Sequence, residues 1–387
     1  MLYRHGLYFL CEHRKRNEEN LKYYELLSEG MKATLQNAGF TRPTPIQEKT
    51  LELIFSKWDI MGIAQTGTGK TAAFAVPIIE KTFIKNSKTQ TLVLCPTREL
   101  AMQITGVFRA LSAHTKLRTV SLYGGQAASV QVRALRAGAQ IVVGTPGRVK
   151  DLIGRNVLKL QNIRTVVLDE ADEMLSFGFL PDITAILSQI TNAHQTLLFS
   201  ATMNKAVSGI VRQFQHDPVR IEISGSNEPA ANVRQSYLTV GSRNKYKMVQ
   251  SLIRKGSPRL ALVFCNTKRQ VKTLQKLLND QGLPVGCLHG DLSQSQRDAV
   301  MVSFREGKTS VMVATDVAAR GIDVQEIDLV INYDIPDNMD YYVHRIGRTG
   351  RAGHSGRACT LVSPQDCGRI AEIERHFRVE ITEEKAI

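Results

Sequence analysis

Short apolar runs recur along the chain, and each ends in a polar or glycine-rich turn. Because these runs are continuous rather than alternating, they are typical of strands buried on both faces of a parallel sheet. Helical patterns lie between the runs. Val271, Leu274 and Leu278 share one face of such a helix, and Gly282 follows as a stop signal. The alternation of strands and helices predicts an α/β fold built from doubly wound parallel sheets.

The second half of the chain repeats the first. Residues 92–97 (LVLCPT) match residues 262–267 (LVFCNT), and residues 141–145 (IVVGT) match residues 311–315 (VMVAT), in both cases 170 positions later. This repeat predicts two tandem domains of one architecture. In such sheets ligands bind at the carboxyl ends of the strands, and the motifs described below lie at those ends or in the loops that follow them.

A polar stretch rich in glycine and proline, residues 225–233, predicts the linker between the domains. Domain one is then residues 21–224, and domain two is residues 234–387. Residues 1–20 are charged and lack a hydrophobic period. We therefore expect them to form a poorly ordered tail.

The composition is basic. The 387 residues include 50 Lys and Arg against 36 Asp and Glu, which gives a formal net charge of +14. This balance favours a polyanionic partner, with nucleic acid the leading candidate, although a solvated basic surface explains the charge alone equally well. The chain has no apolar stretch near 18 residues, so we expect a cytoplasmic protein without a membrane span.

Six cysteines are scattered along the chain without a Cys-x-x-Cys pair. This spacing argues against a zinc site and indicates a reducing compartment. Several of the cysteines lie inside apolar runs, where we expect them to behave as small buried hydrophobic residues. The single tryptophan, Trp58, is interpreted as a packing residue, and an aromatic content of 6% makes base stacking a minor term.

A phosphate-binding loop follows an early apolar run, at residues 64–71 (AQTGTGKT). Gly67 and Gly69 let successive backbone N–H groups approach phosphate, and the helix that starts at the end of the loop adds its positive dipole. We expect Lys70 to reach the β- and γ-phosphates of a nucleotide and the Thr71 hydroxyl to ligate magnesium. Alone, the loop indicates any of many nucleoside triphosphatases.

Acidic residues follow the apolar run 166–168, about 100 residues after this loop, in the sequence Asp169-Glu170-Ala171-Asp172. We expect Asp169, at a strand end, to hold magnesium and Glu170 to polarise the attacking water. A solvated acidic turn is the plain alternative, which the phosphate loop disfavours. The two segments together predict a site for a nucleoside triphosphate and its Mg²⁺.

The Asp-Glu-Ala-Asp sequence, the phosphate loop and the internal repeat resemble a DEAD-box RNA helicase, and the resemblance covers nearly all of the chain. It implies two tandem RecA-like domains, an RNA-stimulated ATP hydrolase, a monomer, and single-stranded RNA as partner. Proteins of ribosome assembly or RNA decay are further expected partners. The resemblance also assigns nucleotide binding to Ala64, Gln65, Thr66, Gly67, Thr68, Gly69, Lys70 and Thr71.

The same resemblance assigns an adenine-reading segment to residues 39–47 (GFTRPTPIQ). Gln47 would bond the adenine edge, and Phe40 would stack on the base. In domain two, Asp323 would bond the ribose. The family also carries an aromatic residue about 17 positions before Gly39, where this chain has a lysine with Tyr23 and Tyr24 beside it.

Three arginines in residues 344–351 (HRIGRTGR) are typical of a phosphate clamp. By resemblance, Arg348 and Arg351 are arginine fingers directed at the γ-phosphate. The phosphates bind domain one while these arginines belong to domain two, so hydrolysis would require the domains to close. The residues implied to couple the two activities are Asp172, Ser200, Thr202 and His344.

Small and cationic residues make up the remaining motifs that the resemblance implies. Such residues suit contacts to a sugar–phosphate backbone that position a strand without reading its sequence, so RNA binding should depend on salt. The implied RNA-binding residues are Pro96, Thr97, Arg98, Gly124, Gly125, Thr145, Pro146, Gly147 and Arg148 in domain one, and Thr267, Gln294, Arg297, Thr315 and Arg320 in domain two.

Two alternatives stay open beside an ATP-dependent RNA helicase. A DNA-dependent helicase of the wider superfamily is disfavoured by the Gln47 segment and the Asp-Glu-Ala-Asp sequence. An ATP-gated RNA clamp that hardly unwinds would keep every one of these motifs. A metabolic kinase would need neither the duplicated domain nor the arginines.

Overall fold

The computed structural model describes residues 23–64, 67–223, 232–241, 244–319, 327–350 and 355–384, without the side chains of Gln294, Val317 and Asp340. Several sequence predictions lie outside these residues. They concern the tail at 1–20, most of the linker, Gln65, Thr66, the side chain of Gln294, Arg320, Asp323 and Arg351.

The chain divides into two compact units at residues 226 and 227. Each unit contains a sheet of seven parallel strands. The strands of the first sheet are β1 (Ile60–Ile63), β2 (Thr91–Leu94), β3 (Thr119–Leu122), β4 (Ile141–Gly144), β5 (Thr165–Leu168), β6 (Gln195–Ser200) and β7 (Val219–Glu222). Those of the second are β8 (Val233–Thr239), β9 (Ala261–Cys265), β10 (Val285–Leu288), β11 (Val311–Thr315), β12 (Leu329–Asn332), β13 (Gly356–Val362) and β14 (Thr382–Glu383).

The two sheets have the same strand order. The first runs β3-β4-β2-β5-β6-β1-β7, and the second runs β10-β11-β9-β12-β13-β8-β14. Each strand of the first sheet therefore has a counterpart seven strands later, which confirms the α/β class and the duplication predicted from the repeated runs. Because all strands of a sheet are parallel, they end at one edge, here called the carboxyl edge, and begin at the opposite amino edge.

Helices precede the first strand and lie between most later ones. In the first unit they are α1 (Glu29–Asn37), α2 (Pro45–Phe55), α3 (Lys70–Lys81), α4 (Arg98–Leu111), α5 (Ala128–Arg136), α6 (Pro146–Gly154), α7 (Ala171–Ser176), α8 (Leu180–Leu187) and α9 (Lys205–Phe214). In the second they are α10 (Lys245–Gly256), α11 (Lys268–Asp280), α12 (Gln294–Arg305), α13 (Asp316–Ala319), α14 (Asp340–Ile346) and α15 (Cys367–Phe377).

Both faces of each sheet bury apolar side chains. One core of the first unit joins Phe74 of α3, Phe108 of α4 and Phe199 of β6, whose ring centroids lie 5.5–6.1 Å from the Phe74 centroid. A second core on the other face includes Leu92, Val166 and Leu198. Four apolar-run cysteines, Cys95, Cys265, Cys287 and Cys359, are buried as expected. Among the residues described, no helix is long and apolar enough to cross a membrane.

The structure contradicts the interpretation of Trp58 as a packing residue. Trp58 lies just before β1, at the amino edge of the first sheet, and 50% of its surface is exposed. The backbone is nevertheless held, because the side-chain amide of Gln195 donates to the Trp58 carbonyl at 2.6 Å. The apolar run that contains β1 starts only at Ile60, so the indole lies just before the buried part of the strand.

Candidate active site

The phosphate loop ends where α3 begins. Gly69 has φ +91° and precedes Lys70, the first residue of the helix. A Cβ on Gly69 would lie 2.6 Å from Nε2 of Gln47, so only glycine satisfies both the backbone angle and this close approach. The buried Lys70 donates from Nζ to the Ala64 carbonyl at 2.8 Å, which places its ammonium group inside the loop.

The adenine-reading segment is tied to the phosphate loop through Gln47. The Gln47 side chain is 2% exposed. Its Oε1 accepts the Thr44 backbone N–H at 2.9 Å, and its Nε2 donates to the Gly69 carbonyl at 3.2 Å. Each end of the amide has one further hydrogen-bonding position, so these contacts orient Gln47 and still leave it able to bond a base edge.

Phe40 is partly buried and packs against the core of the first unit that contains Phe74 and Phe199. The Tyr24 hydroxyl donates to the Phe40 carbonyl at 3.2 Å, whereas Tyr23 is buried and meets the Tyr24 ring edge-on at 5.5 Å between centroids. Of the two tyrosines, Tyr24 therefore contacts the adenine-reading segment. Its phenol reaches the backbone of that segment even though the sequence register differs from the family's.

The acidic segment follows β5 at the carboxyl edge. Asp169 is 3% exposed, and burial raises the pKa of its carboxyl group, while the nearby Lys70 ammonium and the Glu170 backbone N–H oppose that rise. The Glu170 N–H donates to Asp169 Oδ1 at 3.0 Å. The Asp169 carboxylate thus faces the lysine of the phosphate loop, as the sequence predicts for two halves of one site.

Glu170 has a left-handed backbone, with φ 50° and ψ 53°. This conformation costs a residue with a Cβ on the order of 1–3 kcal/mol, and such strain clusters at functional sites. It turns the chain sharply between β5 and α7. The strained backbone therefore belongs to the residue that the sequence predicts to polarise the attacking water.

Asp172 is bonded to the segment that follows β6. The Thr202 backbone N–H and the Thr202 hydroxyl both donate to Asp172 Oδ2 at 2.9 Å. The Ser200 hydroxyl accepts the Asp172 backbone N–H at 3.3 Å and donates to the Thr202 carbonyl at 2.7 Å. The predicted bonds between the Ser200–Thr202 hydroxyls and Asp172 are present within domain one.

The donors around the phosphate loop suit magnesium held jointly with a nucleotide. Within the described ranges, no group of three or more His, Cys, Asp or Glu side chains is placed to hold a metal by itself. Mg²⁺ is commonly bound by one or two carboxylates together with substrate phosphates and water. Asp169 is a buried oxygen donor whose charged form burial disfavours, and a cation would offset that penalty.

The motifs of domain one that the sequence predicts to bind RNA are joined by a residue that sequence reasoning missed, Gln131 of α5. Its side chain is 2% exposed. Nε2 donates to the Tyr123 carbonyl and to Gln126 Oε1, both at 3.0 Å, while Oε1 accepts from Arg148 at 3.0 Å. One amide therefore connects the loop that carries Gly124 and Gly125 to the arginine of α6.

Arg98 joins the same group, since its guanidinium lies 4.5 Å above the Tyr123 ring. Thr97 caps α4 by accepting the Leu100 N–H at 3.2 Å, and Thr145 and Pro146 start α6. The sequence contained one signal for Gln131, a glutamine in an otherwise amphipathic helix. The turn that brings it under Tyr123 could not be inferred from that pattern.

Arg345 is not part of a phosphate clamp, which corrects the interpretation of three equivalent arginines in residues 344–351. It is 1% exposed and forms a bidentate pair with Asp316, at 2.5 and 2.6 Å. It also donates to the Asp334 carbonyl at 2.6 Å and to Asn266 Oδ1 at 2.8 Å. Its donors are committed inside domain two, where they fasten the loops after β9, β11 and β12 to α14.

Arg348 and His344 lie beside this pair. Together with Asp316 and Arg345 they line a small cavity of about 10 Å³. Arg348 is 9% exposed, and its Nε donates to the His344 carbonyl at 3.3 Å. The structure thus brings the predicted finger and the predicted coupling residue together within domain two.

The remaining RNA residues of domain two lie at the carboxyl edge of its sheet. Thr267 caps α11 by accepting the Gln270 N–H at 3.2 Å, and Thr315 is the last residue of β11. Arg297 donates to the Ala318 carbonyl at 3.3 Å, which ties α12 to the short helix after Thr315.

Comparisons with known proteins point to one family. The model of the DEAD/DEAH box helicase family matches residues 44–210, and that of the helicase conserved C-terminal domain matches residues 244–353. The DEAD-box ATP-dependent RNA helicase CshA of Geobacillus kaustophilus is 46% identical over 90% of this chain and 75% of that protein. CshA of Bacillus subtilis is 44% identical over 91% of this chain and 71% of its own length.

Solved structures agree. Dbp5 of S. cerevisiae bound to RNA and ADP BeF3 has a TM-score of 0.84 at 30% identity, covering 93% of this chain and 94% of that one. Mss116p bound to single-stranded RNA and AMP-PNP has a TM-score of 0.85 at 27% identity, covering 94% and 78%. The resemblance seen in the sequence is confirmed, and the chain belongs to the DEAD-box family of ATP-dependent RNA helicases.

Proposed function

We propose that this enzyme couples binding and hydrolysis of magnesium-bound ATP to closure of its two domains on single-stranded RNA, which separates a short duplex or remodels a ribonucleoprotein. The observation that carries the proposal is the bonding of Asp172 by Thr202. Through this link, the acidic segment beside the phosphate loop is attached to the segment that follows β6.

In this proposal Gln47 and Phe40 bind the base, the loop at 64–71 binds the phosphates, and Asp323 of domain two bonds the ribose. Thr71 and Asp169 would hold Mg²⁺, which would offset the negative charge of the phosphates. Glu170 accepts the proton of the attacking water, and its strained backbone fixes its direction. Arg348 and Arg351 approach the γ-phosphate when domain two closes, and His344 completes the coupling to Asp172.

RNA binds the carboxyl edge of each sheet through its backbone. Support comes from the Gln131 amide, which joins the loop of Gly124 and Gly125 to Arg148 in domain one, and from Arg345, which joins the loops after β9 and β11 in domain two. Dbp5 and Mss116p, the related proteins, were solved with RNA and a nucleotide analogue. Since the contacts are to phosphate and sugar, affinity falls with salt and varies little with sequence.

Steady-state ATP hydrolysis tests this proposal. The reactions contain no nucleic acid, single-stranded RNA, or DNA of the same sequence, each at two salt concentrations. We expect strong stimulation by RNA alone, with a larger RNA concentration needed at higher salt. Equal stimulation by DNA would instead support a helicase of the wider superfamily. ATP-dependent retention of RNA without strand separation would support a clamp.

A further inference from the structure

The amino edge of the first sheet carries a concentration of positive charge. The loops that precede the seven strands contain eight Lys and Arg and two Asp. The eight, all exposed, are Lys57, Lys85, Lys88, Lys116, Arg118, Arg155, Lys159 and Arg164. This edge is opposite the carboxyl edge, where Asp169, Glu170 and Asp172 lie.

Neither aspartate neutralises this charge near its centre. Asp59 is buried and accepts the backbone N–H groups of Thr196 at 2.7 Å and His216 at 2.8 Å. Asp217 precedes β7, the strand at the far side of the sheet from β3. The loops before β2, β3, β4 and β5, which are neighbours in the sheet, contain no acidic residue. Of the cations in these loops, Arg155 is paired with Asp151 of α6 at 2.7 Å.

A groove of about 580 Å³ opens among three of these loops. Lys88, Arg136 and Lys159 stand on its walls, all three exposed, and none of its twelve lining residues is acidic. The walls approach closely at Gly138, whose φ is +91° and where a Cβ would meet the Ser87 side chain at 3.1 Å. The groove is therefore a preformed concave surface lined by positive charge.

Exposed aromatic rings accompany the cations. Phe83 keeps 58% of its surface exposed and lies 4.5 Å below the Arg164 guanidinium, and Trp58 on the same edge is half exposed. Exposed cations accompanied by exposed aromatic rings are typical of surfaces that bind single-stranded nucleic acid, where phosphates meet the cations and bases stack on the rings.

We propose that the amino edge of domain one is a second RNA-binding surface, which holds a segment of RNA outside the helicase site. The proposal rests on RNA being the ligand of the proposed function. An acidic protein segment would satisfy the groove, but the charge extends over the loops before β2, β3 and β5 and past exposed rings. This extent suits a continuous phosphate backbone better than a short acidic peptide.

The test compares two triple variants with equal charge change. Lys88→Gln/Arg136→Gln/Lys159→Gln alters the groove, and Lys247→Gln/Lys255→Gln/Lys276→Gln removes three exposed cations of α10 and α11. Binding of labelled RNAs of about 8 and about 30 nucleotides is measured without ATP, at roughly 50 and 200 mM salt. Stimulation of ATP hydrolysis by the short RNA is measured in parallel.

We expect the groove variant to bind the long RNA about tenfold more weakly at the lower salt, with a log–log salt slope shallower by about 2, because three phosphate contacts contribute roughly 0.7 each. The α10/α11 variant should match the unaltered protein. The short RNA should stimulate hydrolysis equally in all three proteins, since it fills only the helicase site.

The proposal is overturned if the groove variant keeps the unaltered slope, or if the α10/α11 variant loses as much affinity. It is also overturned if polyglutamate binding, but not RNA binding, depends on the three groove residues, because that outcome assigns the surface to an acidic protein segment. Failure of the short RNA to stimulate the unaltered protein would refute the proposed function instead, a separate readout from long-RNA binding.

Discussion

The two domains share a strand order and also a lysine at one position. Lys70 opens the helix after β1, and Lys245 opens the helix after β8. Both are buried. Lys70 donates to the Ala64 carbonyl within the phosphate loop, whereas Lys245 donates to the Tyr333 carbonyl at 2.9 Å and lies 3.8 Å from Asp334, just beyond β12.

Each lysine also faces a carboxylate beyond the fifth strand of its sheet. Burial raises the pKa of both Asp169 and Asp334, and the lysine of each domain opposes that rise. In domain two the Asn266 backbone N–H further opposes it, and no glycine loop surrounds the lysine in the described part of that segment. Both sheets thus place a lysine near a carboxylate. We infer that the loop before the lysine determines whether the pair binds a nucleotide or stabilises the fold.

The largest effect should come from Glu170→Gln, with Asp334→Asn, at the carboxylate beside Lys245 in domain two, as its control. Loss of a general base lowers turnover by about 10²–10⁴. Because the amide is isosteric, ATP and RNA binding should persist. Asp334→Asn should leave the chemical step unchanged. Single-turnover hydrolysis and nucleotide binding are measured for both, and normal hydrolysis by the Glu170 variant would remove it as the base.

Arg345→Met should destabilise domain two by about 3–5 kcal/mol, because it leaves Asp316 partly buried without its ion pair. The urea midpoint of that domain reports the change. Arg375→Met, in which an exposed arginine bonded only to its own helix is lost, is the matched control. Equal loss in both would contradict the role assigned to Arg345.

Substituting the two lysines distinguishes a role in ATP binding from a role in stability. Lys70→Met should weaken ATP binding by about 1.5–3 kcal/mol, the value of a charge-assisted hydrogen bond, with little effect on RNA binding without nucleotide. Lys245→Met should lower the unfolding free energy by about 1–3 kcal/mol and spare the ATP affinity. If Lys245→Met instead abolished ATP binding, the structural interpretation of its pair with Asp334 would be wrong.

The smallest effect is expected at Gln131. Gln131→Leu removes the amide between Arg148 and the Tyr123 carbonyl, so the RNA concentration for half-maximal hydrolysis should rise about fivefold, on the order of 1 kcal/mol. Hydrolysis without RNA should not change, since the phosphate loop is untouched. Gln189→Leu, at an exposed position just past the end of α8, is the control, and an identical shift there would show a general effect of the substitution.

Local pattern was sufficient for the strands, the duplication and the phosphate loop, because continuous apolar runs and glycine spacing express those features within a few residues. It was not sufficient for Gln131, Arg345 or Trp58. Arg345 looks like its neighbour Arg348 in the sequence, and only the convergence of the loops after β9, β11 and β12 pairs it with Asp316. The left-handed backbone of Glu170 likewise depends on how tightly β5 must turn into α7.

The half-exposed position of Trp58 has an optical consequence. Since the chain contains one tryptophan, its indole emission comes from a single place, the amino edge of the first sheet. β1 spans four residues between Trp58 and the phosphate loop, roughly 13 Å at about 3.3 Å per residue. The intrinsic fluorescence therefore reports changes at the amino edge. An aqueous quencher should reach the Trp58 indole whether or not a nucleotide fills the phosphate loop.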